Sequence, residues 1–165
     1  MAIGMKDIKR RIKSVESTKQ ITKAMELVAS SKLRKAKKTV ENSRPYFNIL
    51  YETIIKIAAD TRGIKSDYVI SRGTEKKGYI VIAGDRGLAA GYNSNVLKEA
   101  LNHMGGVKHP VIAVGRKSSD YFSKRDYPVH AKYESRAENI DIPQINKITE
   151  AALKLYNDKE IDELY

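Results

Sequence analysis

IKRRIKSVESTKQITKAMELVASSKLRKAKKTVENSRPYFNILYETIIKI, residues 8–57, is the stretch that decides the architecture. Alternate steps of four and three from Ile8 reach Ile12, Val15, Lys19, Thr22, Glu26, Ala29, Leu33, Ala36, Val40, Ser43, Phe47, Leu50, Ile54 and Ile57, and most of these positions are aliphatic or small. Such a seam predicts one helix, about 80 Å long at about 1.5 Å per residue, wound against a second helix. Pro45 opposes this, because an interior proline removes a hydrogen bond and costs about 3 kcal/mol. Asn42 or Ser43 offers a cap for a second helix starting there. The seam nevertheless keeps its phase from Val40 through Ser43 to Phe47, which favours a single helix with a kink. The pattern stops near Asp60 to Gly63, where Gly63 suits a left-handed C-terminal residue.

Within this helix Ile21, Met25 and Val28 form a second stripe, displaced by one residue, or about 100°, from Thr22 and Ala29. Drift of a straight helix against a heptad amounts to only about 20° per heptad, so the apolar face is wide enough for more than one partner. Ala29 and Ala36 permit close approach, whereas Lys19 and Glu26 weaken the seam and help to fix its register.

Beyond the helix the texture changes. Residues 63–77 read as a polar linker or mobile loop, broken only by Tyr68, Val69 and Ile70. Tyr79 to Ala83 is a continuous apolar run suited to a strand buried on both faces. A helix follows at about Asn95 to Met104, capped by Asn93 or Ser94 and stopped by Gly105 and Gly106. Pro110 to Val114 predicts a second buried strand, Ser118 to Lys124 a short helix and Val129 to Tyr133 a third strand. A last helix begins at Pro143, and another strand can begin where the chain reaches Tyr165. Strands alternating with helices imply an α/β unit with a mostly parallel sheet. The expected organisation is a shaft helix over residues 1–62, a linker over 63–77 and an α/β domain, incomplete in extent, over 78–165.

Composition narrows the function classes. The formal charge is +11, from 31 basic and 20 acidic residues, and much of it crowds the helix. Lys6, Lys9, Arg10, Arg11, Lys13, Lys32, Arg34, Lys35, Lys37 and Lys38 call for an acidic partner: nucleic acid, anionic lipid or protein. No cysteine is present, which excludes disulfides, thiolate catalysis and cysteine-held zinc. No apolar run reaches the length of a membrane span, and the N-terminus lacks the apolar region of a secretory signal.

Few constellations suggest chemistry. Gly84 to Asn93, including Asp85, Arg86, Gly87 and Gly91, joins a strand to a helix, a place where backbone N–H groups can hold phosphate. The G-x-G-x-x-G spacing and the Lys-Ser/Thr pair of a P-loop are both missing, which favours a structural turn in which Asp85 and Arg86 pair locally or dock the loop on the long helix. Gly115, Arg116, Lys117 and Ser118 imitate the end of a P-loop without its upstream glycine. His103, His109 and His130 lack metal-site spacing and acidic company. The residues thus indicate no catalytic group, cofactor or metal. Two alternatives stay open beside an interaction role: a basic helix that binds nucleic acid, and a nucleotide-binding α/β enzyme.

The run Ile21 to Ala36, ITKAMELVASSKLRKA, resembles the N-terminal helix of the F-type ATP synthase gamma subunit family, as does the opening from Met5 to Ile12. Asp85, Arg86, Gly87 and Leu88, followed by Gly91 to Asn93, are similar to that family's conserved loop. Many members carry Cys and Gly where this chain has Ala89 and Ala90, so thiol regulation at the loop is ruled out here. The resemblance implies a long N-terminal coiled-coil helix followed by a partial Rossmann-like βαβ domain. It also implies a non-catalytic rotor shaft, peripheral on the cytoplasmic face of the bacterial cell membrane. Such a shaft couples proton translocation to ATP synthesis or hydrolysis by turning inside a ring of alpha and beta subunits. Its foot meets the epsilon subunit and the membrane rotor c-ring, and neither a small-molecule substrate nor nucleic acid is a partner. Family members continue into a C-terminal helix that pairs antiparallel with the first; with that helix absent, the seam is expected to be half of a shaft. On this resemblance Ile21, Met25 and Val28 form a bearing surface, with Met25 near the catalytic subunits and affecting coupling. Lys9, Arg10, Lys13, Lys23, Lys32 and Lys35 face acidic beta-subunit loops.

Overall fold

The computed structural model describes residues 4–59, 66–68, 72–73, 75–134 and 140–165. The chain divides into two units, Met1–Lys65 and Ser66–Tyr165. In the first, α1 runs from Met5 to Ala59 as one helix of 55 residues that passes through Pro45. A single helix therefore stands where two were possible; its expected end near Asp60 to Gly63 lies outside the described residues. Asp7 in the first turn and Lys56 in the last complement the helix dipole. Thr18, Thr22, Thr39 and Thr53 donate their hydroxyls to the carbonyls four residues back. Arg10 pairs with Asp7 at 3.1 Å and Lys37 with Glu41 at 3.8 Å. None of α1's residues is buried, the apolar seam included.

The second unit is a parallel sheet: β1 (Lys77–Ile82), β2 (Val111–Val114), β3 (Val129–Tyr133) and β4 (Glu163–Leu164), in the order β3-β2-β1-β4. Its helices are α2 (Tyr92–Met104), α3 (Arg116–Ser123) and α4 (Ile142–Asn157). β2 is the centre. Its four residues pair with Tyr79 to Ile82 on one side and with β3 on the other, and all of them are wholly buried. Because side chains alternate across a strand, Val111 and Ala113 pack with Tyr79, Val81, Leu97, Met104 and Phe122, while Ile112 and Val114 pack with Ala152, Leu155 and Ile161. One face thus seats α2 and α3 and the other α4.

Several boundaries differ from the sequence expectation. Lys77, read as the last linker residue, opens β1, because β4 extends the ladder backwards through Lys77↔Glu163 and Gly78↔Leu164. β1 is not buried on both faces throughout: Ile82 is 55% exposed, since the pairing with β4 stops short of it. α2 starts at Tyr92 with Gly91 as its N-cap and no side-chain cap, so neither Asn93 nor Ser94 caps it. Gly105, at φ 61°, ends it as expected. α4 is fixed by a capping box in which Asp141 accepts from the Gln144 N–H and Gln144 accepts from the Asp141 N–H, with proline in the first turn.

The stretch read as linker also holds anchors. The Arg72 guanidinium lies 4.1 Å from the Tyr156 ring centroid, donates to the Tyr156 carbonyl at 2.7 Å and pairs with Asp67 at 3.2 Å. The Tyr68 ring stacks on that of Tyr156 with centroids 5.7 Å apart, and the Tyr156 hydroxyl donates to the Asp67 carbonyl. Asp67, Tyr68 and Arg72 are therefore strapped to α4.

Gly115 follows β2 at φ 87° and ψ 149°, a region essentially restricted to glycine. A Cβ there falls 1.9 Å from the Ala83 carbonyl oxygen. Gly115→Ala is expected to cost roughly 3 kcal/mol or more, from backbone strain plus the displaced strand end, measured by denaturant unfolding. A second test uses His109, which packs its ring 5.7 Å from that of Tyr79. Burial, and then the nearby Lys77 charge, hold its pKa below the ordinary 6.5. The unfolded state therefore takes up the proton first, so His109's contribution is intact above about pH 6.5 and lost as pH falls through the lowered folded value. Thermal melts from pH 7.5 to 5.5 should show a decline that His109→Gln flattens.

Candidate functional site

α1 carries the first set of candidate residues, Lys9, Arg10, Lys13, Ile21, Lys23, Met25, Val28, Lys32 and Lys35, and all of them are exposed. At 3.6 residues per turn they do not share one face. Arg10, Ile21, Met25, Val28, Lys32 and Lys35 fall within an arc of about 80°, and Lys13 flanks it. Lys9 and Lys23 point well away, roughly 100° or more from the centre of that arc. The helix thus offers an apolar patch, Ile21, Met25 and Val28, between cationic ends at Arg10 and at Lys32 and Lys35. Met25 remains 49% exposed and Val28 58%.

The second set lies in the connection between β1 and α2. Asn93 Oδ1 accepts from the Gly84 N–H at 2.8 Å, and its amide donates to the Arg86 carbonyl at 3.3 Å. Asp85 Oδ1 accepts from the Arg116 N–H at 2.9 Å, and the Gly84 carbonyl accepts from the Lys117 N–H at 3.0 Å. Asp85 and Gly84 therefore satisfy donors at the start of α3, which has no side-chain cap from its own N-cap residue. Gly91 accepts from the Asn95 N–H at 2.8 Å in the first turn of α2. The structure brings Asp85, Gly84 and Asn93 together as a brace tying the end of β1 to α2 and α3, whereas Arg86 and Gly87 project outward and are exposed.

This geometry bears on phosphate binding. The Gly84 N–H and the first two N–H groups of α3 already have protein acceptors, and a phosphate at α3 meets the Asp85 carboxylate. The start of α3 is therefore not an open anion cradle. Ser118 and Ser119 are buried, and Ser119 donates to Glu134 at 2.7 Å. His103 Nδ1 lies 2.9 Å from the Tyr79 hydroxyl. Among the described residues no group of three or more His, Cys, Asp or Glu can hold a metal, and no helix is long and apolar enough to cross a membrane.

The sequence reading missed the strain in this loop. Leu88 at φ 62° and Ala90 at φ 45° occupy the left-handed region, and Leu88 is 91% exposed. Only the family's glycine at the position of Ala90 hinted at it. Left-handed backbone costs a residue with a Cβ roughly 1–2 kcal/mol, part of which glycine returns to the unfolded chain as entropy. Ala90→Gly is therefore expected to raise stability by up to about 1 kcal/mol. Asn93→Ala, which strips partners from Gly84 and Arg86, should lower it by about 1–2 kcal/mol. Urea titrations of both variants check the opposite signs.

Comparison with known proteins completes the picture. The family described as ATP synthase matches residues 4–165. The ATP synthase gamma chain of Alkaliphilus metalliredigens is 48% identical over all of this chain and 57% of its own length. That of Brevibacillus brevis is 41% identical, again over all of this chain and 59% of the relative. The sodium ion specific ATP synthase gamma chain of Acetobacterium woodii is 40% identical over all of this chain and 55% of the relative. The chain thus spans rather more than half the length of these relatives. With the match running through both the exposed helix and the braced α/β unit, the chain belongs to the ATP synthase family, on the side of its gamma chains.

Proposed function

We propose that this chain serves as the non-catalytic central-stalk subunit of an F-type ATP synthase, a rotor shaft that couples proton translocation to ATP synthesis or hydrolysis. The observation that carries the reading is α1: 55 residues of helix, none buried, with an apolar seam and a second stripe beside it. Exposed apolar area costs roughly 25 cal/mol per Å², so such a surface has its use in an assembly. The partners proposed are the alpha and beta subunits around the shaft, and the epsilon subunit and membrane rotor c-ring at its foot. The complex sits peripherally on the cytoplasmic face of the bacterial cell membrane. An asymmetric shaft acts by contacting each catalytic subunit differently, which shifts that subunit among its conformations. Ile21, Met25 and Val28 serve as the bearing patch. Arg10, Lys13, Lys32 and Lys35 supply attraction to acidic loops, screened over about 8 Å, and Lys9 and Lys23 meet a different neighbour as the shaft turns.

A chimaera tests the assignment. With this chain replacing the corresponding segment of the Alkaliphilus metalliredigens gamma chain, co-expression with that organism's alpha, beta and epsilon subunits should yield a complex that hydrolyses ATP. Recovery of alpha and beta subunits without the chimaera, while the unaltered gamma chain assembles, overturns the proposal. In the assembled complex, Met25→Lys adds a cation to the bearing patch. An added ion pair worth up to about 1 kcal/mol should slow ATP synthesis by up to about fivefold, with assembly unchanged. Synthesis rates in ion-tight vesicles decide it.

A further inference from the structure

We draw no further inference here: the strongest candidate, the apolar groove along the open edge of β1 between Ile80, Ile82, Val96 and Tyr165, carries none because nothing in the structure shows what covers it.

Discussion

Where β1 and β2 end, two backbones pass within van der Waals contact, and the α/β unit is arranged around that approach. The Ala83 N–H donates to the Val114 carbonyl at 2.9 Å, and the next residue, Gly115, lies so close to the Ala83 carbonyl that no side chain fits. The Gly115 N–H meanwhile donates to the Tyr133 carbonyl at 2.8 Å, drawing the end of β3 into the same layer. With these strand ends held at one level, the segments that leave β1 and β2 are brought into contact. That contact places Asp85 against the first N–H of α3 and the Gly84 carbonyl against the second. In a parallel sheet the loops at the strand ends are where chains differ most freely, and here hydrogen bonds within the unit tie the segments leaving β1 and β2 together.

Elements with long or uninterrupted apolar patterns were legible in the sequence, and those set by distant partners were not. The seam of α1 outweighed Pro45, because one lost hydrogen bond in a solvated helix does not cancel a repeat carried over many turns. β2 and β3 were recognisable from Val111 to Val114 and Val129 to Tyr133. Asn93 misled because residue type alone suits it to a cap; the Gly84 N–H, nine residues back, took its oxygen instead. A strand near Tyr165 was expected, but its pairing with the early start of β1, across more than eighty residues, leaves no pattern in a two-residue strand to detect. Pro143 marked the start of α4, and the capping box of Asp141 and Gln144 fixes it.

The candidate sites divide along the same line. The sequence expectation groups Lys9 and Lys23 with the other cations of α1, whereas helical spacing along the one observed helix directs both well away from the patch around Met25. A structural role for Asp85 was legible but its partner was not, since the Arg116 N–H lies 31 residues away in the first turn of another helix. The missing P-loop and G-x-G-x-x-G spacings favour a structural turn over an anion cradle, and Asn93 and Asp85 accept from the Gly84 and Arg116 N–H groups in keeping with that reading. Of the residues shared with the family's loop, Asp85 and Asn93 thus have structural roles within the unit.

The two units contrast in how they use apolar surface. The α/β unit buries its central strand completely and braces the end of β1 with hydrogen bonds to Asn93 and to α3, leaving Leu88 raised on a strained turn. α1 does the opposite, keeping Ile, Leu, Val and Met side chains in water and surrounding them with cations. Deep burial against one fixed neighbour suits a core, whose packing has no need to come apart. A surface that must meet several neighbours in turn needs interactions that form and break with little change in free energy, and partly exposed aliphatic groups between screened charges have that property. On the proposed reading, the weakness of each interaction along Arg10 to Lys35 is what allows rotation, and the stiffness of an unbroken helix is what allows those weak interactions to act together.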